Sequence, residues 1–115
     1  MLPARHRLKE RRDIQSLFQK GKSLKGEMLL MKYQEEAGPT VQIGFSVSLK
    51  FSKKATKRNK AKRWMREAAR ARLGRIKCGS RILFILDPKA SLEKLSLQKI
   101  SDSMEKLLKK GKLFS

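Results

Sequence analysis

Arg58, Lys62, Arg66 and Arg70 recur at every fourth position in a segment that reads KKATKRNKAKRWMREAARAR from residue 53 to residue 72. Residues four apart lie one above another on an α-helix, so these cations form a single ridge, with Lys60 and Arg63 to one side of it. Ten of the twenty residues are Lys or Arg, and Glu67 is the only acid. Like charges stacked in this way disfavour an isolated helix. A row of phosphates offsets that repulsion. Arginine adds a forked, two-point hydrogen bond that lysine, a compact point charge, does not. The chemistry of the segment is therefore anion recognition, and Asn59 can orient a sugar–phosphate group through its amide.

The remaining side chains offer little for catalysis. A protein nuclease needs a general base, a nucleophile or a metal site. His6 is the single histidine and falls in a basic N-terminal stretch. Asp13, Glu27, Glu67 and Asp87 stand apart at no motif spacing. Glu67 reads as an ion-pair partner of Arg63 or Arg70, and Cys78 as an incidental buried thiol. No residue is assigned a catalytic role, and none a metal.

The chain has 115 residues, enough for one domain and too few for two. Thirty Lys and Arg stand against ten Asp and Glu, a net charge of +20. Such an excess strains a compact state through self-repulsion unless a polyanion neutralises it. Nucleic acid fits that role, whereas an anionic membrane would call for a lipid anchor or an insertion face. The apolar stretch 28–33 is far too short to span a bilayer. The N-terminal residues lack the apolar run of a signal peptide. One cysteine rules out an internal disulfide framework. The expected location is the cytoplasm.

The elements that must carry this helix follow from periodicity. Residues 1–10 read as a flexible basic arm. Ile14, Leu17 and Phe18 share a face of a short helix over 11–20, and Gly21 closes it. Residues 22–33 are extended, as one strand or two. A turn at 35–40 carries Gly38-Pro39. Over 41–49, Val41, Ile43, Phe45, Val47 and Leu49 alternate with Gln42, Gly44, Ser46 and Ser48. The first set faces a core. The second set is small and polar, and faces water or leaves room for something flat. Thr56 is the expected N-cap of the basic helix over 57–73, with Gly74 as its stop. Ala61, Met65 and Ala68, with Trp64 at the margin, make its apolar stripe. A turn at 78–80 leads to the continuous apolar run RILFIL, a strand buried on both faces. Ser96 caps a last helix whose buried stripe is Leu97, Ile100, Met104, Leu107 and Leu108. The result is an α+β fold, an α/β sandwich of helices on one small sheet. Phe18 and Tyr33 either pack in the core or stack on unpaired bases.

The segment 43–67 closely resembles the signature of the protein subunit of bacterial ribonuclease P. The matching residues are Ser46-Val47-Ser48, Lys50 and Ala55, followed by Arg58-Asn59-Lys60, Lys62-Arg63 and Arg66. Leu8-Lys9, Asp13-Ile14, Phe18 and Gly21, the run ending before Pro88 and the closing helix fit as well, so the resemblance covers nearly the whole chain. It departs from the family pattern at Lys60 in place of a second Arg, Leu49 in place of a cation, Ser52 in place of a Gly and Ile14 in place of an aromatic.

The resemblance implies the order α-β-β-β-α-β-α with a left-handed β-α-β crossover around the basic helix, against the usual hand. It also implies a role in a holoenzyme whose RNA subunit cleaves precursor tRNA, using Mg2+ held mainly by the RNA. Lys53, Lys54, Lys57, Arg58, Asn59, Lys60 and Arg63 would then bind the ribonuclease P RNA. Ile14, Phe18, Ser46, Ser48, Lys62 and Arg66 would border a cleft for the 5′ leader of precursor tRNA. No further protein partner is required. The main rival is a structural RNA-binding protein such as a ribosomal protein. A DNA architectural protein would show a groove wedge or a dimer seam, and neither is evident.

Overall fold

The computed structural model describes residues 4–35 and 38–114. Arg11–Lys20 forms helix α1, Lys22–Lys25 strand β1, Leu29–Gln34 strand β2 and Gln42–Ser46 strand β3. Ala55–Arg72 forms α2, Arg81–Leu86 β4 and Leu97–Lys110 α3. This is the expected α-β-β-β-α-β-α order, with short 3-10 turns at Ala4–His6, Leu73–Arg75 and Leu92–Lys94.

The apolar run of β4 explains the layers. The sheet order is β1-β2-β4-β3, so β4 is central. Its Ile82, Phe84 and Leu86 face the main core, where Ala61, Met65, Ala68 and Ala69 of α2 and Ile100, Met104, Leu107 and Leu108 of α3 meet them. Its Leu83 and Ile85 face the other way, into a smaller cluster with Leu8, Ile14 and Leu17. The sheet thus lies between α2 and α3 on one side and α1 on the other. A large apolar side chain buried in this way contributes roughly 1.5–3 kcal/mol by leaving water.

β1–β2 is an antiparallel hairpin, and β2 pairs antiparallel with β4. β3 and β4 are parallel, from Gln42 opposite Arg81 to Ser46 opposite Ile85. Parallel neighbours need a crossover, and α2 supplies it. The small side chains Ala61, Ala68 and Ala69 let that helix approach the strands closely. Phe45 and Phe84, neighbours in the parallel register, stack with ring centres 6.3 Å apart. On the other face, Asp13 of α1 pairs with Arg81 of β4 at 3.4 Å.

Several expectations change. The arm is not loose over its described part. Leu8 N donates to Ile43 O at 3.0 Å, His6 Nδ1 lies 2.7 Å from Val41 O, and Leu8 is buried. Residues 1–3 lie outside the described residues, as do positions 36 and 37 of the expected turn. The strand expected over 41–49 stops at Ser46, because the chain turns where Phe51 N reaches Ser48 O at 3.1 Å. Leu49 is accordingly 67% exposed and not core. Helix α2 begins at Ala55, not after Thr56. The Lys54 carbonyl already accepts from Lys57 N and Arg58 N, while Ser52 Oγ accepts from Lys54 N. Ser96 does cap α3, accepting from Lys99 N at 3.1 Å, but Leu97 at the first turn is exposed. Tyr33 is core, Cys78 is exposed, and Gly79 takes the positive φ of 84° that the 78–80 turn needs.

Candidate nucleic-acid interface

Helix α2 starts without a side-chain cap and without an acid in its first turn. Lys53, Lys54 and Lys57 are exposed there, at the end of the helix that already carries partial positive charge. Nothing in the first turn offsets this, so the position favours an incoming anion. Arg58 is half-buried, and its Nη1 donates to Ser52 O at 2.9 Å. That bond folds the preceding loop against the helix. Asn59, Lys60 and Arg63 are exposed on the outer surface, and Lys60 Nζ lies 5.3 Å from the centre of the Trp64 ring. With Ala61, Met65, Ala68 and Ala69 buried, the helix separates a sheet-facing stripe from a cationic exterior.

Lys62 and Arg66 take a different direction. They border a groove of about 290 Å³ beside β3, together with Arg7, Leu8, Lys9, Ile43, Gly44 and Phe45. Four cations surround this groove, and no carboxylate is among its lining residues. Arg7 and Lys9 had no periodicity to single them out. They arrive because the arm adds alongside β3, with Arg7 bridging Ile43. Gly44 permits that approach, since a Cβ there would sit 3.2 Å from Leu8 Cβ and from Leu83 Cδ1. The face of β3 expected to be open is therefore covered at Gly44.

The other cleft candidates lie further along the α1 side of the sheet. Ser46 shares the Gly44 face by alternation and pairs with Ile85, which packs in the same cluster as Ile14. Both Ser46 and Ile14 are half-buried. Phe18 is 51% exposed, so it is not core, and Lys32 Nζ stands 4.9 Å from its ring centre. A ring exposed beside a cation has the chemistry to stack an unpaired base. The Ser48 hydroxyl is buried and has no hydrogen-bond partner among the described residues. The structure thus brings Lys62 and Arg66 together with the arm, places Ser46 and Ile14 next along the sheet, and Phe18 beyond them on α1.

The acid that answers the basic helix is Glu105 of α3, which pairs with Arg72 and Arg75. Glu67, expected in that role, is exposed and makes no ion pair among the described residues. Among the described residues, no three His, Cys, Asp or Glu side chains gather where they could hold a metal, and no helix is long and apolar enough to cross a membrane.

The family model described as Ribonuclease P matches residues 2–112. This chain belongs to that family. The ribonuclease P protein component of Synechococcus sp. is 37% identical over 117 residues, covering 98% of this chain and 86% of the relative. That of Thermotoga maritima is 36% identical over 108 residues, covering 92% of each. Among solved structures, the Thermotoga maritima ribonuclease P protein superposes with a TM-score of 0.80 at 36% identity, covering 90% of this chain and 96% of the other. The Staphylococcus aureus ribonuclease P protein gives 0.82 at 27% identity, covering 96% and 98%. The resemblance carried by the segment 43–67 and the fold expected from it are both borne out.

Proposed function

We propose that this protein is the protein subunit of a ribonuclease P ribonucleoprotein and assists 5′ maturation of tRNA by binding two RNAs at once. The observation that carries the reading is the division of α2 into two cationic directions. Asn59, Lys60 and Arg63 face outward, with Lys53, Lys54, Lys57 and Arg58 at the uncapped end of the helix. This surface is assigned to the ribonuclease P RNA. Lys62 and Arg66 turn instead to the groove beside β3. The strip from that groove past Ser46 and Ile14 to Phe18 is assigned to the single-stranded 5′ leader of precursor tRNA. Its cations would hold the leader's phosphates and its one exposed ring would stack a base.

Phosphodiester cleavage is assigned to the RNA subunit, with magnesium ions held by RNA. The residues of this chain do not fit such an ion, because no carboxylate set gathers among the described residues. The chain's own contribution is to neutralise phosphates and to position the leader. Within the cell the reading places it in the cytoplasm.

Reconstitution with a bacterial ribonuclease P RNA at low magnesium tests this. The protein is expected to stimulate removal of 5′ leaders. RNA binding without stimulation would favour a structural RNA-binding role of the ribosomal kind. Cleavage by the protein in the absence of RNA would overturn the assignment of catalysis to the RNA.

A further inference from the structure

A cavity of about 970 Å³ lies between the β1–β2 turn, the segment after β4 and α3, and shares no lining residue with the α2 groove. Lys25, Lys89, Lys94, Lys99, Lys106 and Lys110 line it. The acids there are Glu27, Asp87 and Asp102, half as many. Asp87 is occupied by its own turn, accepting from Lys89 N at 2.9 Å, and Asp102 accepts from Gln98 Nε2 at 2.9 Å. No ion pair among the described residues neutralises any of the six lysines.

On α3, Lys99, Ser103, Lys106 and Lys110 follow the spacing i, i+4, i+7, i+11 and so share one face. Like charges on one helix face cost stability, as on α2. Helical periodicity puts this face on the flank of α3 away from Glu105, the residue that ties α3 to Arg72 of α2. The cavity and α2 therefore flank α3 on opposite sides. A second observation also points to a ligand. Ser103 is 6% exposed and lines the cavity, and its hydroxyl has no hydrogen-bond partner among the described residues. A buried hydroxyl without a partner is uncommon in a folded protein, and this one sits in the cavity wall against Gly26, where a small shift of the turn would let it donate to an anion.

We propose that this cavity is a second RNA-binding site, which takes consecutive phosphates of an RNA strand other than the segment held by α2. The shape of the charge selects this occupant. The lysines from Lys99 to Lys110 are strung over about 16 Å of helix and do not converge on one point, as a lone phosphate or mononucleotide would require. A strand with a phosphate at every nucleotide matches such a row. The lining holds no aromatic ring and no arginine. It therefore offers neither base stacking nor a bidentate fork, and the site reads backbone without sequence. With α2 on one flank of α3 and this cavity on the other, the protein clamps two RNA segments across one helix.

The test uses the full chain and a bacterial ribonuclease P RNA as probe. The slope of log binding constant against log salt is measured for Lys99→Ala/Lys106→Ala/Lys110→Ala, for the matching triple substitution to Arg, and for Arg63→Ala. The lysines are exposed, so their removal leaves the core intact. The alanine triple should lower the slope by about 2, at roughly 0.7–0.9 per lost phosphate contact, and the arginine triple should retain it. A photo-crosslinker on Lys106→Cys, in a Cys78→Ser background because Cys78 is exposed, should attach to nucleotides distinct from those reached from Arg63→Cys. An unchanged slope in the alanine triple, with a reduced slope in Arg63→Ala, overturns this site and leaves the α2 reading standing. If neither variant lowers the slope, both readings fall. Binding to phosphatidylserine vesicles that the alanine triple abolishes, without any crosslink to RNA, overturns the RNA assignment in favour of a membrane.

Discussion

Arg72 Nε donates to Glu105 Oε1 at 3.1 Å, joining the last turn of α2 to the middle of α3, and Arg75 Nη1 donates to the same oxygen at 3.2 Å. Arg72 is the better buried partner, with 12% of its side chain exposed. Its Nη1 also donates to Ala68 O at 3.0 Å. In a chain of net charge +20, this carboxylate gathers two cations at the helix junction where the core stripes of α2 and α3 meet.

That geometry predicts a pH dependence. Partial withdrawal from water pushes the Glu105 carboxyl up, but Arg72, Arg75 and Lys109 pull it down, and the hydrogen bond from Arg72 adds to the pull. The net effect holds it below its ordinary value. A carboxyl held lower in the folded state than in the unfolded one stabilises the fold above the unfolded value, and that contribution is lost as pH falls through the folded value. Glu105→Gln should therefore lower Tm at neutral pH. Its Tm should approach that of the wild type in acid, below the ordinary carboxylate value. Thermal melts across that range check this. Parallel curves at all pH values would remove Glu105 from the acid response.

The reach of sequence reasoning has a physical boundary here. α1 and β4 were legible to the residue because their apolar positions repeat within a few residues, and their ends carry Gly21 and Asp87-Pro88. The stripe Ala61, Met65 and Ala68 was legible for the same reason, and Ala69 completes it. Glu105 was not, since its partners are 33 and 30 residues away and no local pattern announces them. Glu67 had the right spacing to Arg63 and Arg70, but exposed side chains gain too little from such a pair to hold it. Arg7 and Lys9 were missed because their place in the groove depends on Gly44 admitting Leu8, a contact between distant parts of the chain. The spacing of 58–66 pointed to a phosphate-bearing ligand, and only the resemblance narrowed that to particular RNAs, which spacing cannot do.

Arg58 and Arg63 separate two kinds of contribution on one helix. Arg63 is exposed and makes no described contact with the rest of the fold, so Arg63→Ala should leave stability within about 0.5 kcal/mol. It should still lower the salt slope of RNA binding by about 0.9, the release of one phosphate's counterion. Arg58→Ala should lower that slope similarly and also destabilise the protein by about 1 kcal/mol, because the bond to Ser52 O is lost. Denaturant melts alongside binding titrations at several salt concentrations check both. Equal stability of the two variants would show that the Arg58–Ser52 contact holds nothing in place.

Phe18 gives the sharpest test of the leader strip. It stands half exposed on α1, beside Leu17, which is wholly buried. Helical spacing put Phe18 on the same face as Ile14 and Leu17, but α1 covers only part of the sheet, and the ring overhangs toward Lys32. Removing an exposed ring costs the core little, so Phe18→Ala should keep its Tm, whereas Leu17→Ala should lose about 2–5 kcal/mol of stability. If the ring stacks a leader base, its loss costs about 1–3 kcal/mol in binding precursor tRNA, roughly five- to 150-fold in affinity. Mature tRNA, which lacks the leader, should bind the holoenzyme unchanged. Equal losses for precursor and mature tRNA would place the leader elsewhere. A fall in Tm with both affinities unchanged would show that the ring packs against the fold and does not face RNA.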